Sequence, residues 1–205
     1  MKIILLLLIT FAFVYPSTYD IGLVAYKNKE YKKAMELFQK SAQEGNSQAK
    51  YNLSVIYANG DGVEKNLDES LYWLKEASKD GNSYAIMSLA NMYMQGFKVE
   101  KDYKKAIELF TKEAELGNVE ALYNLGFIYT VGIGVEIDNK KGIDYYTKAA
   151  DLGNINAQIN LGYIYLSAQG VPKDMKKAAY YIKKAKDKGD FKAKALWEEY
   201  KLEKF

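Results

Sequence analysis

Residues 117–135 read GNVEALYNLGFIYTVGIGV, and this stretch decides the fold. Ala121, Leu125, Ile128 and Tyr129 repeat the offsets of Ala49, Leu53, Ile56 and Tyr57, which share one face of an α-helix. Gly132-Ile133-Gly134 then halts the helix, because paired glycines supply the positive φ values of a tight loop. Val135 is expected to plug that loop into the core. Upstream, Gly117 suits the residue just after a helix end and Asn118 suits the cap of the next helix.

The pattern returns every 36 residues. Gly45-Asn46, Gly81-Asn82, Gly117-Asn118, Gly153-Asn154 and Gly189-Asp190 keep the step, as do Ala49, Ala85, Ala121, Ala157 and Ala193. So do the columns beginning at Leu53, Tyr57 and Val63. Within the first full copy the spacing predicts one helix over 47–59 and a second over 67–80. Ser70, Leu74 and Ala77 form the inner face of the second, and later copies place Ala106, Phe110 and Ala178, Ile182 at the sites of Ser70 and Leu74. A hairpin of this size cannot bury both faces alone, so neighbours must stack. The predicted fold is all-α, a right-handed α-α superhelical solenoid of stacked helix-turn-helix repeats. Lys98 and Ala168 stand where other loops carry glycine, so the second and fourth loops are expected to differ in shape.

Composition narrows the function. The chain of 205 residues is 49% hydrophobic and 27% charged, a globular balance able to bury a core. All 29 basic residues are lysine, so the bidentate guanidinium fork suited to phosphate and guanine is missing, and no nucleic-acid partner is expected. Cysteine and histidine are absent, which removes thiolate nucleophiles, imidazole bases and the commonest transition-metal ligands. No cofactor and no metal are expected.

Met1-Lys2 precedes an apolar run, Ile3 to Val14, broken only by Thr10 and followed by Tyr15-Pro16-Ser17. A charged start, an apolar run shorter than the roughly 20 residues of a bilayer span, and a turn read as a signal peptide over 1–17. The protein is therefore expected to be secreted or periplasmic, with no stable membrane span after signal cleavage. An uncut, membrane-tethered form is the alternative, because Tyr15 occupies a place where a small residue would support cleavage.

The copy Ala121, Leu125-Gly126, Tyr129, Gly132-Ile133-Gly134-Val135, Ala149-Ala150 and Gly153 resembles the Sel-one-like repeat (SLR) family. Four copies cover 47–190, with Gly162 keeping the Leu-Gly pair and Ser54 and Ala90 substituting other small residues. Residues 18–46 resemble the related tetratricopeptide repeat, on Ile21-Gly22, Tyr31, Ala34 and Phe38 with a shorter loop. Residues 191–205 resemble a lone first helix that caps the stack, with Ala193 in register. The resemblance implies a scaffold or adaptor for a protein or extended peptide, and a monomer is expected. Some cysteine-rich relatives are linked to penicillin binding and β-lactamase activity, but the paired cysteines of that group are missing.

Three patterns could carry chemistry. Ser47-Gln48-Ala49-Lys50 satisfies the S-x-x-K motif of serine β-lactamases, yet neither S-D-N nor K-T-G occurs, and Ser47 falls in the column of Ser83, Val119 and Ile155. No enzyme activity is expected. Asp102, Asp138 and Asp174 recur where a second helix begins and read as caps. The segment 171–205 carries eleven lysines against six acidic residues, as a solvated surface or as attraction for an acidic partner.

Taking Ala49 as the core direction, a step of about 100° per residue gathers Gln48, Asn52, Val55 and Asn59 on an adjoining stripe of the first helix. Later copies continue it through Ser88 and Asn91, then Asn124 and Phe127, then Asn160 and Tyr163. These ten residues are the predicted partner-binding set on the concave face. Their amides can donate to and accept from a peptide backbone, and the rings can anchor apolar side chains. An alternative role for Asn52, Asn124 and Asn160 is to satisfy neighbouring turns.

Overall fold

The structure is a computed structural model that describes residues 16–205. The signal-peptide reading therefore falls almost wholly outside the described residues. Among those residues there are eleven α-helices and one short 3-10 turn, with no strand. They are α1 Thr18–Lys27, α2 Tyr31–Gln43, α3 Ser47–Asn59, α4 Leu67–Lys79, α5 Ser83–Gln95, α6 Tyr103–Glu115, α7 Val119–Val131, α8 Asn139–Asp151, α9 Ile155–Ser167, α10 Met175–Asp187 and α11 Phe191–Glu199. The chain divides into two packed units, one ending at Glu76 and the other beginning at Ala77, so the division falls within α4. Each unit packs its helices in sequence order.

In the first unit, Ser17 caps α1 by accepting from the Asp20 amide while Asp20 reaches back to the Ser17 amide, a capping box. Ala25, Ala34, Phe38, Ala42, Ala49, Leu53 and Ile56 form its core, with Val63 packed against them as a plug. Gly22 lets α1 approach α2, since a Cβ there would lie 2.8 Å from the Phe38 ring. The loop after α3 is tied back by Tyr26, whose hydroxyl donates to Asp61 Oδ2 at 2.6 Å.

In the second unit, each first helix starts on an Asn or Asp cap whose side chain accepts from the amide three residues on: Asn82 from Ala85, Asn118 from Ala121, Asn154 from Ala157 and Asp190 from Ala193. Asp102, Asp138 and Asp174 cap the second helices in the same way. The amide of Lys105 holds the Asp102 carboxyl below its ordinary pKa. The aligned alanines Ala85, Ala121, Ala157 and Ala193 have no exposed surface, so the helix backbones pack closely through that column.

Small and large residues alternate across each hairpin. Ala90 belongs with Phe110, Gly126 with Tyr146 and Gly162 with Ile182; a Cβ on Gly126 would lie 2.5 Å from the Tyr146 ring, and one on Gly162 would lie 2.3 Å from Ile182. The tyrosine column packs locally. Tyr129 stacks on Tyr145 with centroids 5.9 Å apart, and Tyr165 on Tyr181 at 6.2 Å. Lys105, Lys141 and Lys177 lie over Tyr93, Tyr129 and Tyr165 at 5.3, 4.1 and 5.1 Å.

Two expectations are corrected. The second and fourth loops keep the shape of the others: Lys98 takes φ of 58° where Gly62, Gly134 and Gly170 take 72°, 69° and 70°, and Ala168 takes 57° where Gly60, Gly96 and Gly132 take 81°, 71° and 80°, all left-handed. The repeat register imposes the left-handed backbone even where no glycine relieves it, at about 1–2 kcal/mol per residue. The C-terminal cap is not one helix over 191–205. Its helix stops at Glu199, Lys201 turns with φ of 50°, and a 3-10 turn, Leu202–Lys204, buries Leu202 completely.

Candidate functional site

The predicted stripe divides between the two units. In the first unit Gln48 and Asn59 are exposed, while Asn52 and Val55 are half-buried on α3. Asn52 donates to the Tyr19 hydroxyl at 3.4 Å and Asn59 to Asp61 at 3.1 Å. Asn52 thus reaches a side chain of α1 and not a neighbouring turn, while Asn59 reaches a carboxylate of its own loop.

In the second unit the stripe borders open grooves. One, of about 350 Å³, lies between α5 and α7: Asn91, Met94 and Gln95 form one wall, Asn124, Phe127 and Ile128 the other, with Phe110 and Tyr103 beneath. The next, of about 160 Å³, lies between α7 and α9. Phe127, Thr130 and Val131 face Asn160, Tyr163 and Ile164 across Tyr146. Phe127 is 44% exposed and Tyr163 is 52% exposed, large apolar surface at the shared mouth. The structure thus brings together Asn91, Asn124, Phe127, Asn160 and Tyr163. Ser88 lies half-buried on α5, outside these linings.

Burial pushes the Tyr146 phenol upward in pKa, and hydrogen bonding with Thr130 and Asn160 works the other way. Sequence reasoning missed the floor, because Phe110 and Tyr146 belong to second helices and a stripe drawn on first helices does not contain them. Their register was available: both lie in the Leu74 and Ile182 column.

The other candidates have plain roles. Ser47 opens α3, and its hydroxyl donates to Gln48 Oε1 at 3.2 Å. Among the described residues no cluster of acidic groups could hold a metal, and no helix is long and apolar enough to cross a membrane. Several C-terminal lysines are engaged locally: Lys183 with Asp187 at 2.9 Å, Lys184 with Asp151 at 3.7 Å, and Lys188 donating to the Gly153 carbonyl at 2.8 Å. Glu113 is fully buried in the column of Ala77, Ala149 and Ala185. Its Oε2 accepts from Ser83 and from Asn118, while Oε1 is buried with no hydrogen-bond partner among the described residues.

The Sel1 repeat model matches residues 19–46, 47–82, 83–118, 119–154 and 155–190. The first of these matches covers the segment read as tetratricopeptide-like, so its short loop marks a variant of the same repeat. A Sel1 repeat protein from Oxalobacter formigenes is 30% identical, with a TM-score of 0.77, over 87% of this chain and 76% of that one. A protective antigen of uropathogenic Escherichia coli strains, with an SLR fold, is 32% identical with a TM-score of 0.79. The alignment covers 86% of this chain but only 38% of the antigen. A Sel1 repeat protein from Klebsiella pneumoniae shares the fold at 19% identity and a TM-score of 0.53, over 89% and 90% of the two chains. A comparison with curated protein sequences gives no match. Five matched repeats and helix pairs packed in sequence order establish that this chain belongs to the Sel1 repeat family, whose members generally act as scaffolds for protein–protein interaction.

Proposed function

We propose that this chain is an exported, non-catalytic, monomeric scaffold that holds a partner protein by an extended segment laid across α5, α7 and α9. The observation that carries this reading is the pair of grooves meeting at Phe127, lined by amides and apolar side chains with no charged group. Amides suit a peptide backbone, which offers both donors and acceptors, and exposed rings at the mouth supply apolar area once covered. Export rests on the charged start and apolar run of residues 1–14.

The double variant Asn124→Ala, Phe127→Ala tests the site. Capture of the partner from the exporting cell should fall by about tenfold or more, the scale of losing one hot-spot ring. Unchanged capture places binding elsewhere. Sequencing the N-terminus of exported protein tests the signal, and a start at Met1 outside the cytoplasm supports the tethered form. Turnover of nitrocefin abolished by Ser47→Ala would replace the scaffold reading with an enzymatic one.

A further inference from the structure

Glu113 breaks the packing rule of its column. Ser41, Ala77, Ala149 and Ala185 hold the same place in other second helices, each small and at most 3% exposed, whereas Glu113 encloses a whole carboxyethyl side chain with no exposed surface. Taking a carboxyl group out of water costs free energy, and two donors on Oε2 with none on Oε1 offset only part of it. Replacing both partners of such a contact by apolar groups of fitting shape is close to neutral or stabilising, so stability does not account for its presence. Departures of this kind from local packing mark positions with another role.

The groups that the carboxylate joins define that role. Ser83 opens α5 and donates from its hydroxyl, and Asn118 caps α7 and donates from Nδ2 at 3.2 Å. Both reach Oε2, so one side chain of α6 ties the first residue of α5 to the cap of α7. With its nitrogen held there, the Asn118 amide turns its oxygen to the amides of Glu120 and Ala121, accepting from each at 3.1 Å. The far end of α7 is seated on α6 as well, through Gly134, where a Cβ would lie 2.3 Å from Tyr103. α5 and α7 are the walls of the groove of about 350 Å³, and its floor residue Phe110 precedes Glu113 by one turn of α6. One repeat on, the three places of Ser83, Glu113 and Asn118 hold Val119, Ala149 and Asn154. A methyl group cannot make the tie, and the groove between α7 and α9 is about 160 Å³.

Resting on the groove reading above, we propose that Glu113 is a positioning residue, a spacer whose side chain holds α5 and α7 apart and so sets the size of partner side chain that the groove between them admits. It acts through Ser83 and Asn118 and is not itself part of the groove lining.

The test replaces the tie by the pair that the next repeat uses, Ser83→Val with Glu113→Ala, a combination already present in a folded copy. The chain has no cysteine, so Gln95→Cys with Val131→Cys, or Val131→Cys with Ser167→Cys, takes nitroxide labels at the two chosen sites alone. These exposed residues end α5, α7 and α9, and double electron–electron resonance reads the two separations in the full chain. With Ser83→Val, Glu113→Ala the 95–131 distance should shorten by about 1–2 Å, the scale on which packed helices shift, while 131–167 stays as it was. Glu113→Gln keeps the shape and an acceptor oxygen, and should leave both distances unchanged. The urea midpoint of Ser83→Val, Glu113→Ala should match or exceed that of the parent chain, and its capture of the partner should fall about tenfold, as for loss of a hot-spot contact. An unchanged 95–131 distance in Ser83→Val, Glu113→Ala, an equal shift in Glu113→Gln, or a shift of both distances together overturns the spacer. A lower urea midpoint with unchanged distances does so too, and marks Glu113 as a packing contact alone. Loss of capture in Asn124→Ala, Phe127→Ala beside full capture in Ser83→Val, Glu113→Ala overturns its control of what the groove admits. Full capture in Asn124→Ala, Phe127→Ala is instead the failure of the groove reading, and the distances then decide the spacer by themselves.

Discussion

Replacing Gly126 with alanine isolates the packing rule that sets each hairpin. A glycine inside a helix is less favourable than alanine by about 0.8–1 kcal/mol, so on local grounds Gly126→Ala should stabilise α7. The new Cβ, however, would lie 2.5 Å from Cδ1 and 2.8 Å from Cε1 of Tyr146, whose ring is 2% exposed. Reaching ordinary contact requires a shift of most of an ångström in a packed core, and overpacking of this kind costs about 1–3 kcal/mol. With the ring fully enclosed the clash falls in the middle or upper part of that range and exceeds the propensity gain, leaving a net loss of up to about 2 kcal/mol. Trp197 lies in the second unit and Trp73 in the first, so urea unfolding followed by tryptophan fluorescence in a Trp73→Phe background reads the relevant unit. A double-mutant cycle with Tyr146→Leu, which places at this site the residue that Leu74 supplies in another repeat, should recover about 1 kcal/mol or more of the loss. Full stabilisation by Gly126→Ala, with no coupling to position 146, would show that the Tyr146 ring does not dictate the glycine.

Three further outcomes follow from the same geometry. Ala168→Gly should stabilise the second unit by about 0.5–1 kcal/mol, the relief of a left-handed L-residue less the extra entropy of glycine in the unfolded chain, and Lys98→Gly should act alike; lower urea midpoints would contradict this. Asn82→Ala should cost about 1–2 kcal/mol, because the Asn82 side chain is 3% exposed and accepts from the Ala85 amide at 3.0 Å. The Tyr26 phenol, pushed up to about 12 chiefly by its hydrogen bond to Asp61, should be a late tyrosine in an alkaline absorbance titration. Because its folded pKa exceeds the unfolded value of about 10, its contribution is complete below pH 10 and is lost as pH rises towards 12. Solvent access keeps that contribution under about 1 kcal/mol, and Tyr26→Phe or Asp61→Asn should abolish its pH dependence.

Much of the fold was legible because the repeat writes it several times. Helix bounds such as Ser47–Asn59 follow from the spacing of Ala49, Leu53 and Tyr57 between two glycine signals. The cap positions Asn46, Asn82, Asn118 and Asn154 follow from their place before each apolar run. Less legible were features that depend on what a residue meets across the hairpin. Nothing local marks Ala168 for a positive φ; its loop is held in shape by the same helix ends and plug as its glycine-bearing neighbours. Tyr200-Lys201 carries no glycine or proline, so the stop at Glu199 and the return of Leu202 into the core are tertiary effects. The site was half legible. Phe127 and Tyr163 stand out on a one-helix stripe, but a groove also needs a floor, and Phe110 and Tyr146 come from another helix. Glu113 was visible as the single carboxylate in an alanine column, yet only burial reveals that Ser83 and Asn118 hold it there.

The central claim is that the mouth of the grooves, and not the opposite surface, meets the partner. Site-specific photocrosslinking in the producing cell tests it directly, with a benzophenone amino acid placed in turn at Phe127, Tyr163, Glu108 and Asp144, all exposed positions. A common protein adduct is expected from 127 and 163 and none from 108 or 144 on the second helices. The same adduct from 108 or 144 with none from 127 and 163 would contradict it.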